Sequence, residues 1–387
     1  MKQRWVSLGA AALAAAVFGP AALAQTTVPA SPAPPTASSA PPASPAPVPY
    51  AGQQPQSAAT PSYQSAFTAP SCSSCAACPT CADQQPEFFT PFMLGDFVGI
   101  VANQFSDVKI AEGESPRPVD RVFIKFNFYN DLNESRWSDP RLSIHNIELY
   151  RYTFGFEKTF FDQNVSLGVR LPFYTLEAEG KDVVLTPDPA TGALVPGPGG
   201  PGINDTELGN LTAILKAVVW QDRQTGSLLS TGATLSFPTA TSKLINPGQS
   251  TLAYIQPYGG FILQDGDMFL QGFTSITLPI ASAESTVFFA DLGAGYYVYR
   301  NHEQASFLTG VAPTLEVHFA DALRQPDFFV NDFGLFDDIK VPTTVDVTLG
   351  STFEFAGGAV FGAGLCVPVT GPKSFDFELI GQLNYRF

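Results

Sequence analysis

Charged residues, histidine and long apolar runs are all scarce in this chain. Asp, Glu, Lys and Arg make up 14% of the residues, whereas soluble proteins contain about 25%. The chain has 3 histidines, which leaves few candidates for a catalytic base. Beyond the N-terminus, no apolar run reaches the roughly 18 residues that a membrane-spanning helix requires. These shortages disfavour both an ordinary soluble enzyme and a helical membrane protein.

The N-terminus has the pattern of a secretory signal peptide. Lys2 and Arg4 precede an apolar run over 5–19, and Ala22-Leu23-Ala24 forms a small-x-small cleavage site. Cleavage removes the two cations and changes the net charge from −15 to −17. An acidic chain is a poor partner for nucleic acid. We therefore expect export through the general secretory pathway; the alternative is a signal retained as a membrane anchor.

Composition divides the chain into four segments. We assign residues 1–24 to the signal peptide, 25–70 to a disordered Pro/Ala/Ser-rich linker, 71–119 to a cysteine cluster with a connecting segment or plug, and 120–387 to a transmembrane β-barrel. The linker composition cannot bury a core and favours extended conformations. Residues 86–105 fit two roles that we weigh equally: a plug inside the barrel, or a spacer without strands.

Four cysteines, Cys72, Cys75, Cys78 and Cys81, have the spacing C-x2-C-x2-C-x2-C. In an oxidising compartment, local or intermolecular disulfides are the ordinary interpretation. Intermolecular disulfides would link neighbouring barrels into a homo-oligomer. Zinc held by four thiolates is an alternative, as are free thiols. An iron–sulfur cluster is disfavoured because ferredoxin-type motifs have a longer final gap. We expect no cofactor.

Alternation of apolar and polar residues identifies strands in the C-terminal part of the chain. In Ser374–Phe387, odd-numbered positions are apolar or aromatic, and even-numbered positions are polar apart from one isoleucine. Because successive side chains of a strand point to opposite faces, this segment is a two-faced strand. The same pattern recurs in 121–129, 165–173, 211–219 and 345–355.

The breaks between these strands differ in length. Short breaks such as Asp222–Gly226 tend to alternate with long connections, of which 180–207 and 320–342 are long enough to fold into a lumen. This alternation is typical of outer-membrane barrels. We expect a bulge in 146–160. The sequence thus predicts an all-β fold, a 12-stranded antiparallel transmembrane β-barrel behind a disordered tether.

The polar face of each predicted strand determines which residues line the barrel. In a membrane barrel the apolar face contacts lipid and the polar face lines the interior. A secreted β-sandwich would bury these charges in a dry core, at a cost of several kcal/mol each unless they are paired. A hydrated lumen or a network of paired charges removes that cost. The predicted lumen-lining residues are Arg121, Lys125, Arg170, Lys216, Asp291, Glu316, Asp346, Glu354, Asp376, Glu378 and Arg386.

The end of the chain resembles a known signature. Tyr385 and Phe387 close a strand with aromatic residues at alternate positions, which resembles the C-terminal signature of outer-membrane barrels. That resemblance implies that Phe387 and Tyr385 form an assembly signal for the barrel-assembly machinery. Localisation in the outer membrane, with its lipid as a partner, follows from the same resemblance.

Three internal segments, 207–216, 232–239 and 291–296, resemble strands of the phenol-degradation (meta-pathway) and FadL-like group of transporter barrels. This chain has Gly209-Asn210 where those families have Gly-Asp, and Pro238-Thr239-Ala240 where they have Pro-Thr-Gly. The resemblance implies passage of small hydrophobic compounds. It names no substrate.

Two functions are compatible with these patterns. The first is an outer-membrane channel or transporter for passive diffusion of a small-molecule solute. The alternative is a structural anchor whose Cys/Pro-rich arm links the barrel to the cell wall or to neighbouring subunits. We do not expect an enzyme, because no serine accompanies His318 and Glu316 on their strand and the other histidines, His145 and His302, lie near loops or turns.

Overall fold

The computed structural model describes residues 89–96, 109–132, 144–188, 192–240, 253–280, 285–301, 306–324, 329–330, 336–337, 343–371 and 373–387. These residues belong to one compact unit, Pro79–Phe387. The predicted signal peptide, the linker and the four clustered cysteines lie outside the described residues, as does His302.

Regular structure in the described residues consists of β-strands. In chain order they are β1 (Arg121–Asn130), β2 (Ile144–Phe160), β3 (Val165–Gly180), β4 (Val183–Pro187), β5 (Leu194–Pro198), β6 (Ile203–Leu208), β7 (Leu211–Gln221), β8 (Leu228–Phe237), β9 (Tyr254–Asp265), β10 (Met268–Pro279), β11 (Thr286–Tyr296), β12 (Tyr299–Arg300), β13 (Leu308–Arg324), β14 (Phe329–Val330), β15 (Phe336–Asp337), β16 (Thr344–Phe355), β17 (Ala359–Pro368) and β18 (Phe377–Arg386). The described ranges contain no helix long and apolar enough to cross a bilayer, a finding without bearing on strands.

Twelve strands form a closed antiparallel barrel, which confirms the predicted fold class. In order around the wall they are β1, β2, β3, β7, β8, β9, β10, β11, β13, β16, β17 and β18. The first and last strands pair along their whole length, with Arg121 opposite Arg386. β6 continues the wall beyond β7 by pairing with β3, and β12 adds a short pairing to β13. Closure leaves the twelve described wall strands without an open edge of unpaired amides.

Burial alternates along the wall strands as the sequence pattern predicts. On β1, Arg121, Lys125 and Asn127 are buried, whereas Val122 and Ile124 are exposed. The outward faces of the other strands are likewise aliphatic or aromatic. Exposed examples are Phe154, Leu167, Leu215, Leu235, Leu263, Leu292, Leu315, Leu349, Phe361 and Leu383. The barrel therefore carries an apolar outer surface around a largely polar interior.

Two irregularities shape the wall near its long-loop end. In β2 the register shifts between His145 and Ile147, and Asn146 has a φ of 47°, which confirms the expected bulge. The described part of the long connection 180–207 forms the β4–β5 hairpin, most of whose residues are exposed, and β6. The described part of this connection extends the wall through β6 and forms a mostly exposed hairpin.

The last strand begins later than its alternation indicates. β18 starts at Phe377; Phe375 is buried against Tyr129, with ring centroids 5.8 Å apart, whereas Asp376 is exposed. The period of two holds only within the strand, and Phe375 and Asp376 precede it. The predicted inward position of Asp376 is therefore corrected to an exposed one.

Candidate functional site

A segment that precedes β1 lies inside the barrel. It has two arms, Phe89–Asp96 and Lys109–Asp120, which we call the plug; the residues between the arms are outside the described ranges. The amide of Met93 donates a 2.9 Å hydrogen bond to the carbonyl of Glu114 and so joins the arms. Most plug side chains are buried. They are Phe89, Thr90, Phe92, Met93, Leu94, Asp96, Lys109, Ile110, Ala111, Glu112, Glu114 and Ser115.

Both arms meet the barrel end that carries the short turns. The hydroxyl of Thr90 donates to Gln264 at 3.4 Å, next to the β9–β10 turn. Arg117 donates to the carbonyl of Gly226 in the turn between β7 and β8. The plug thus enters and leaves through this end. Of the segment 86–105, the part that the structure describes, 89–96, lies within the lumen.

The lumen wall formed by β1, β2, β3 and β7 carries a group of buried cations, which we call the basic wall. Its members are Arg121, Lys125, Arg151, Arg170 and Lys216. A buried cation is tolerated only when anions or hydrogen-bond acceptors replace its hydration. The plug supplies most of these partners.

One carboxylate of the plug and one of the wall bind two of these cations together. Glu114 accepts hydrogen bonds from Arg121 and, at 3.1 Å, from Lys216. Glu157 of β2 lies 3.0 Å from Arg121 Nε and 2.9 Å from Lys216 Nζ. Arg121 also stacks over the ring of Phe92, with 4.2 Å to its centroid. The four charges form a closed buried network between plug and wall.

A second plug carboxylate, Glu112, pairs with Arg151. Burial alone opposes ionisation of Glu112, but Arg151 and Lys125 outweigh it and hold the pKa of its carboxyl below the usual value. Arg170 donates to the carbonyls of Glu112 and Lys109 at 3.1 and 2.9 Å. A small cavity beside Glu112 is lined by these three cations. The basic wall therefore binds plug carboxylates and plug carbonyls.

The wall formed by β11, β13 and β16 has the opposite charge, and we call it the acidic wall. Asp291, His318 and Asp346 are direct cross-strand partners on these three strands, and Glu316 lies two residues from His318. All four side chains are buried. The two oxygens of Glu316 accept the amides of Leu94 and Gly95, each at 2.8 Å. A backbone segment of the plug thus supplies hydrogen bonds to both oxygens of a buried wall carboxylate.

An ammonium from the plug completes the acidic wall. Lys109 Nζ contacts Asp96 and lies 2.8 Å from Asp291 Oδ1. Ligand atoms of Asp96, Asp291 and His318 converge within 4.8 Å, a spacing that also suits a metal ion. Because Lys109 already contacts both aspartates, the cation that this cluster holds is an alkylammonium. Burial opposes ionisation of Asp96, but His318 and Lys109 lower its pKa to about 2.

Glycines on β16 and β17 make room for the plug. A side chain at Gly362 or Gly364 would place its Cβ 3.1 or 2.6 Å from a methyl carbon of Leu94, and one at Gly350 would collide with it. These inward positions therefore form a socket for Leu94. The polar walls fix the plug by charge, and this socket fixes it by shape.

The two walls face each other across the lumen. Around the barrel, β8, β9 and β10 separate them on one side, and β17 and β18 separate them on the other. Such an arrangement creates an electric field across the lumen, directed from the basic wall to the acidic wall. Two plug carboxylates, Glu112 and Glu114, face the cations of the basic wall, and Lys109 faces Asp291 of the acidic wall, where it also contacts Asp96.

Most of the residues predicted to line the lumen lie where the alternation places them. The buried ones are Arg121, Lys125, Arg170, Lys216, Asp291, Glu316, Asp346 and Glu378. Glu354 and Arg386 are half-buried near the short-turn end, where Glu354 accepts the hydroxyl of Tyr297 and Arg386 lies 3.9 Å from the ring centroid of Phe89. Asp376 is the exception described above.

Several residues of the site escaped sequence reasoning. Arg151 and Glu157 lie in the stretch 146–160, where the bulge obscures the register. The sequence does contain a signal for them. Tyr150, Tyr152, Phe154 and Phe156 place aromatic side chains at the even-numbered positions of the outer face, so the odd-numbered residues face the interior. The plug residues Asp96, Lys109, Glu112 and Glu114 carry no periodic signal.

Two of the predicted residues occupy the outer surface, and the cysteine of β17 lies in the interior. Tyr385 and Phe387 of the predicted assembly signal are exposed. Cys366 is a buried free thiol within an apolar cluster that includes Tyr129 and Phe375.

Comparisons with known proteins identify no family for this chain. No family model matches it, and no curated protein matches it. Solved barrels are similar in fold. An outer-membrane channel from Pseudomonas putida F1 is 11% identical, covering 70% of this chain and 96% of that one, with a TM-score of 0.44. The β-domain of the Bordetella autotransporter BrkA is 10% identical, covering 70% and 100%, with a TM-score of 0.42. LpxR from Salmonella typhimurium is 10% identical, covering 69% and 100%, with a TM-score of 0.38.

Proposed function

We propose that this chain is an outer-membrane channel for small polar solutes, closed at rest by its own plug. The membrane location rests on the outer surface. Side chains such as Leu215, Leu349 and Phe361 are exposed on the wall strands. Contact of such apolar side chains with water is unfavourable, whereas contact with the hydrocarbon of a bilayer is not. A closed barrel is also the one strand architecture that satisfies every backbone amide within a bilayer.

The observation that carries the channel proposal is the polar attachment of the plug. Many of its contacts with the wall are ion pairs, such as Glu114–Arg121 and Lys109–Asp291, or hydrogen bonds from backbone amides to Glu316, and Leu94 adds the apolar contact of the socket. Water or a polar solute can replace such contacts, because wall and plug groups are all able to be hydrated. A segment held in the barrel by apolar contacts alone would not leave so readily. The charged walls favour polar solutes over the hydrophobic ones that the family resemblance implies.

An enzymatic role is disfavoured by the surroundings of His318. Its Nδ1 lies 2.9 Å from Asp291 and its Nε2 lies 3.3 Å from the hydroxyl of Thr348, an outline similar to a catalytic triad. However, Nε2 also lies 3.4 Å from Glu316. Carboxylates beside both ring nitrogens of His318 favour the imidazolium form, in which both nitrogens donate hydrogen bonds. This form cannot accept the proton of a nucleophile.

The test is the conductance of the full chain in a planar lipid bilayer, compared with Gly95→Val. Gly95 has a φ of 77°, and a Cβ there would lie 2.7 Å from Glu112 Cα in the other arm. Valine therefore separates the two arms and unseats the plug. The matched control is Gly266→Val, since Gly266 has a φ of 60° but no atom within 4 Å of its Cβ position.

We expect the full chain and Gly266→Val to be closed for most of the time, and Gly95→Val to carry a sustained ion current. All three proteins should show the same heat-dependent mobility of a folded barrel on gels. A folded Gly95→Val protein that carries no current would contradict the channel proposal. It would favour the structural anchor, whose arm and cysteines would then hold the function.

A further inference from the structure

We infer that the solute of this channel is zwitterionic, with an ammonium and a carboxylate group on one molecule. In the closed channel, Lys109 and Glu112 of the plug occupy the sites for these two groups. This inference rests on the proposed channel function. The plug places Lys109 against the acidic wall and, three residues later, Glu112 against the basic wall. One short stretch of chain therefore presents both charges across the lumen, each to the wall of opposite sign.

The acidic wall has the chemistry of an ammonium site. Asp291 Oδ1 lies 2.8 Å from the Lys109 ammonium, and the ring of Phe289 lies 5.5 Å from it. Glu316 accepts two N–H groups through both oxygens. Carboxylates and an aromatic face together bind alkylammonium groups. The wall thus recognises N–H donors that arrive from the lumen.

The basic wall has the chemistry of a carboxylate site. Arg151 binds the carboxylate of Glu112, and Arg170 binds two carbonyl oxygens of the same turn. The cavity beside Glu112 is lined by Lys125 as well. Planar guanidinium groups beside an ammonium recognise carboxylates together with neighbouring peptide carbonyls. A small peptide carries both features.

Displacement of the plug removes these partners from both walls at once. A solute with one charge restores the contacts of one wall only, and a neutral solute restores neither. A zwitterionic solute restores both, and the field between the walls orients it. The lumen therefore selects for two separated charges on one molecule, and not for either charge alone.

The experiment uses the full chain with Gly95→Val in a planar bilayer and four probes of similar size. Triglycine has both charges, N-acetyltriglycine is an anion, triglycine amide is a cation, and N-acetyltriglycine amide is neutral. The readout is the probe concentration that halves the ion current. We expect triglycine to do so at a concentration about tenfold lower than each of the other three. A second variant that adds Asp291→Asn should remove the advantage of triglycine over N-acetyltriglycine, whereas added Glu179→Gln, at an exposed position, should not.

Equal block by all four probes, or strongest block by a singly charged probe, would overturn this inference and leave the channel proposal intact. Loss of the triglycine preference on Glu179→Gln would overturn it as well. Absence of current from folded Gly95→Val protein would instead overturn the channel proposal, and this inference with it.

Discussion

Lys109 Nζ lies 2.8 Å from Asp291 Oδ1, so an inserted segment and a barrel strand share a buried ion pair. Neither residue reaches bulk water. Removal of one partner from such a pair leaves an uncompensated buried charge, which costs about 3–5 kcal/mol. The position of the plug in the lumen therefore depends on a contact between residues distant in sequence.

The first prediction concerns this ion pair. Lys109→Met removes the ammonium that Asp96 and Asp291 share and leaves His318 as the cation between them. We expect amide hydrogen exchange in 89–96 to accelerate by about 100-fold, the equivalent of about 3 kcal/mol. Adding Asp291→Asn should recover part of this loss. The control is Lys158→Met, because the pair that Lys158 forms with Asp120 is partly exposed and worth about 1 kcal/mol or less. Equal exchange rates in Lys109→Met and Lys158→Met would show that the ion pair of Lys109 does not hold the plug in place.

The second prediction concerns the glycine socket. Gly364→Val places a branched side chain where Leu94 lies, and overpacking of this kind costs about 1–3 kcal/mol. We expect a more frequently open channel in bilayer recordings. Gly381→Val is the matched control, since Gly381 is also a wall-strand glycine but has no atom within 4 Å of its Cβ position. If both variants open equally often, the socket does not hold the plug.

The third prediction concerns the outer surface. Leu215 lies in the middle of β7 with its side chain 51% exposed, and Leu215→Arg would place a charge in hydrocarbon at a cost of about 2–4 kcal/mol. Phe161→Arg, in the β2–β3 turn at 78% exposure, should cost little. The measurement is the folded fraction in lipid vesicles across a urea series. A lower midpoint for Leu215→Arg alone is expected, and equal midpoints would argue against a lipid-facing surface.

The alternation of residues was sufficient to predict the barrel because each wall strand has one lipid-compatible face and one polar face. Residues such as Lys125 and Lys216 followed directly from this period. Asp376 did not, because it precedes the start of β18 at Phe377, and the alternation of side chains holds only within the strand. A pattern of period two carries no information about where pairing ends.

The plug was less predictable for a physical reason. Lys109 and Glu112 acquire their roles from contacts with residues 182 and 39 positions away, and a segment without regular structure leaves no periodic trace of such contacts. The sequence shows the glycines of β16 and β17, but it does not show that Leu94 packs against them.

The fourth prediction is that acid opens the channel. The pKa values of Asp96 and Glu112 are lower with the plug seated than in a hydrated, released plug, where they approach 3.8 and 4.5. The seated plug therefore keeps its full stability above about pH 4.5 and loses it as pH falls toward the lowered values. Charges that face these groups are Lys109, His318 and Asp346 for Asp96, and Arg151, Lys125 and Arg170 for Glu112. Conductance should increase as pH falls from 4.5 toward 2, and less steeply in Glu112→Gln.

The plug as a gate is tested most directly by a reversible cross-link. Leu94 lies against Gly350, so Leu94→Cys with Gly350→Cys, in a chain whose 5 native cysteines are replaced by serine, places two thiols together. We expect the oxidised protein to stay silent when the pH is lowered to about 3 and to conduct after reduction, whereas each single-cysteine variant conducts under both conditions. Equal acid-induced currents from the oxidised and reduced double variant would show that the lumen opens without movement of the plug. This result would contradict the proposal that the plug closes the channel.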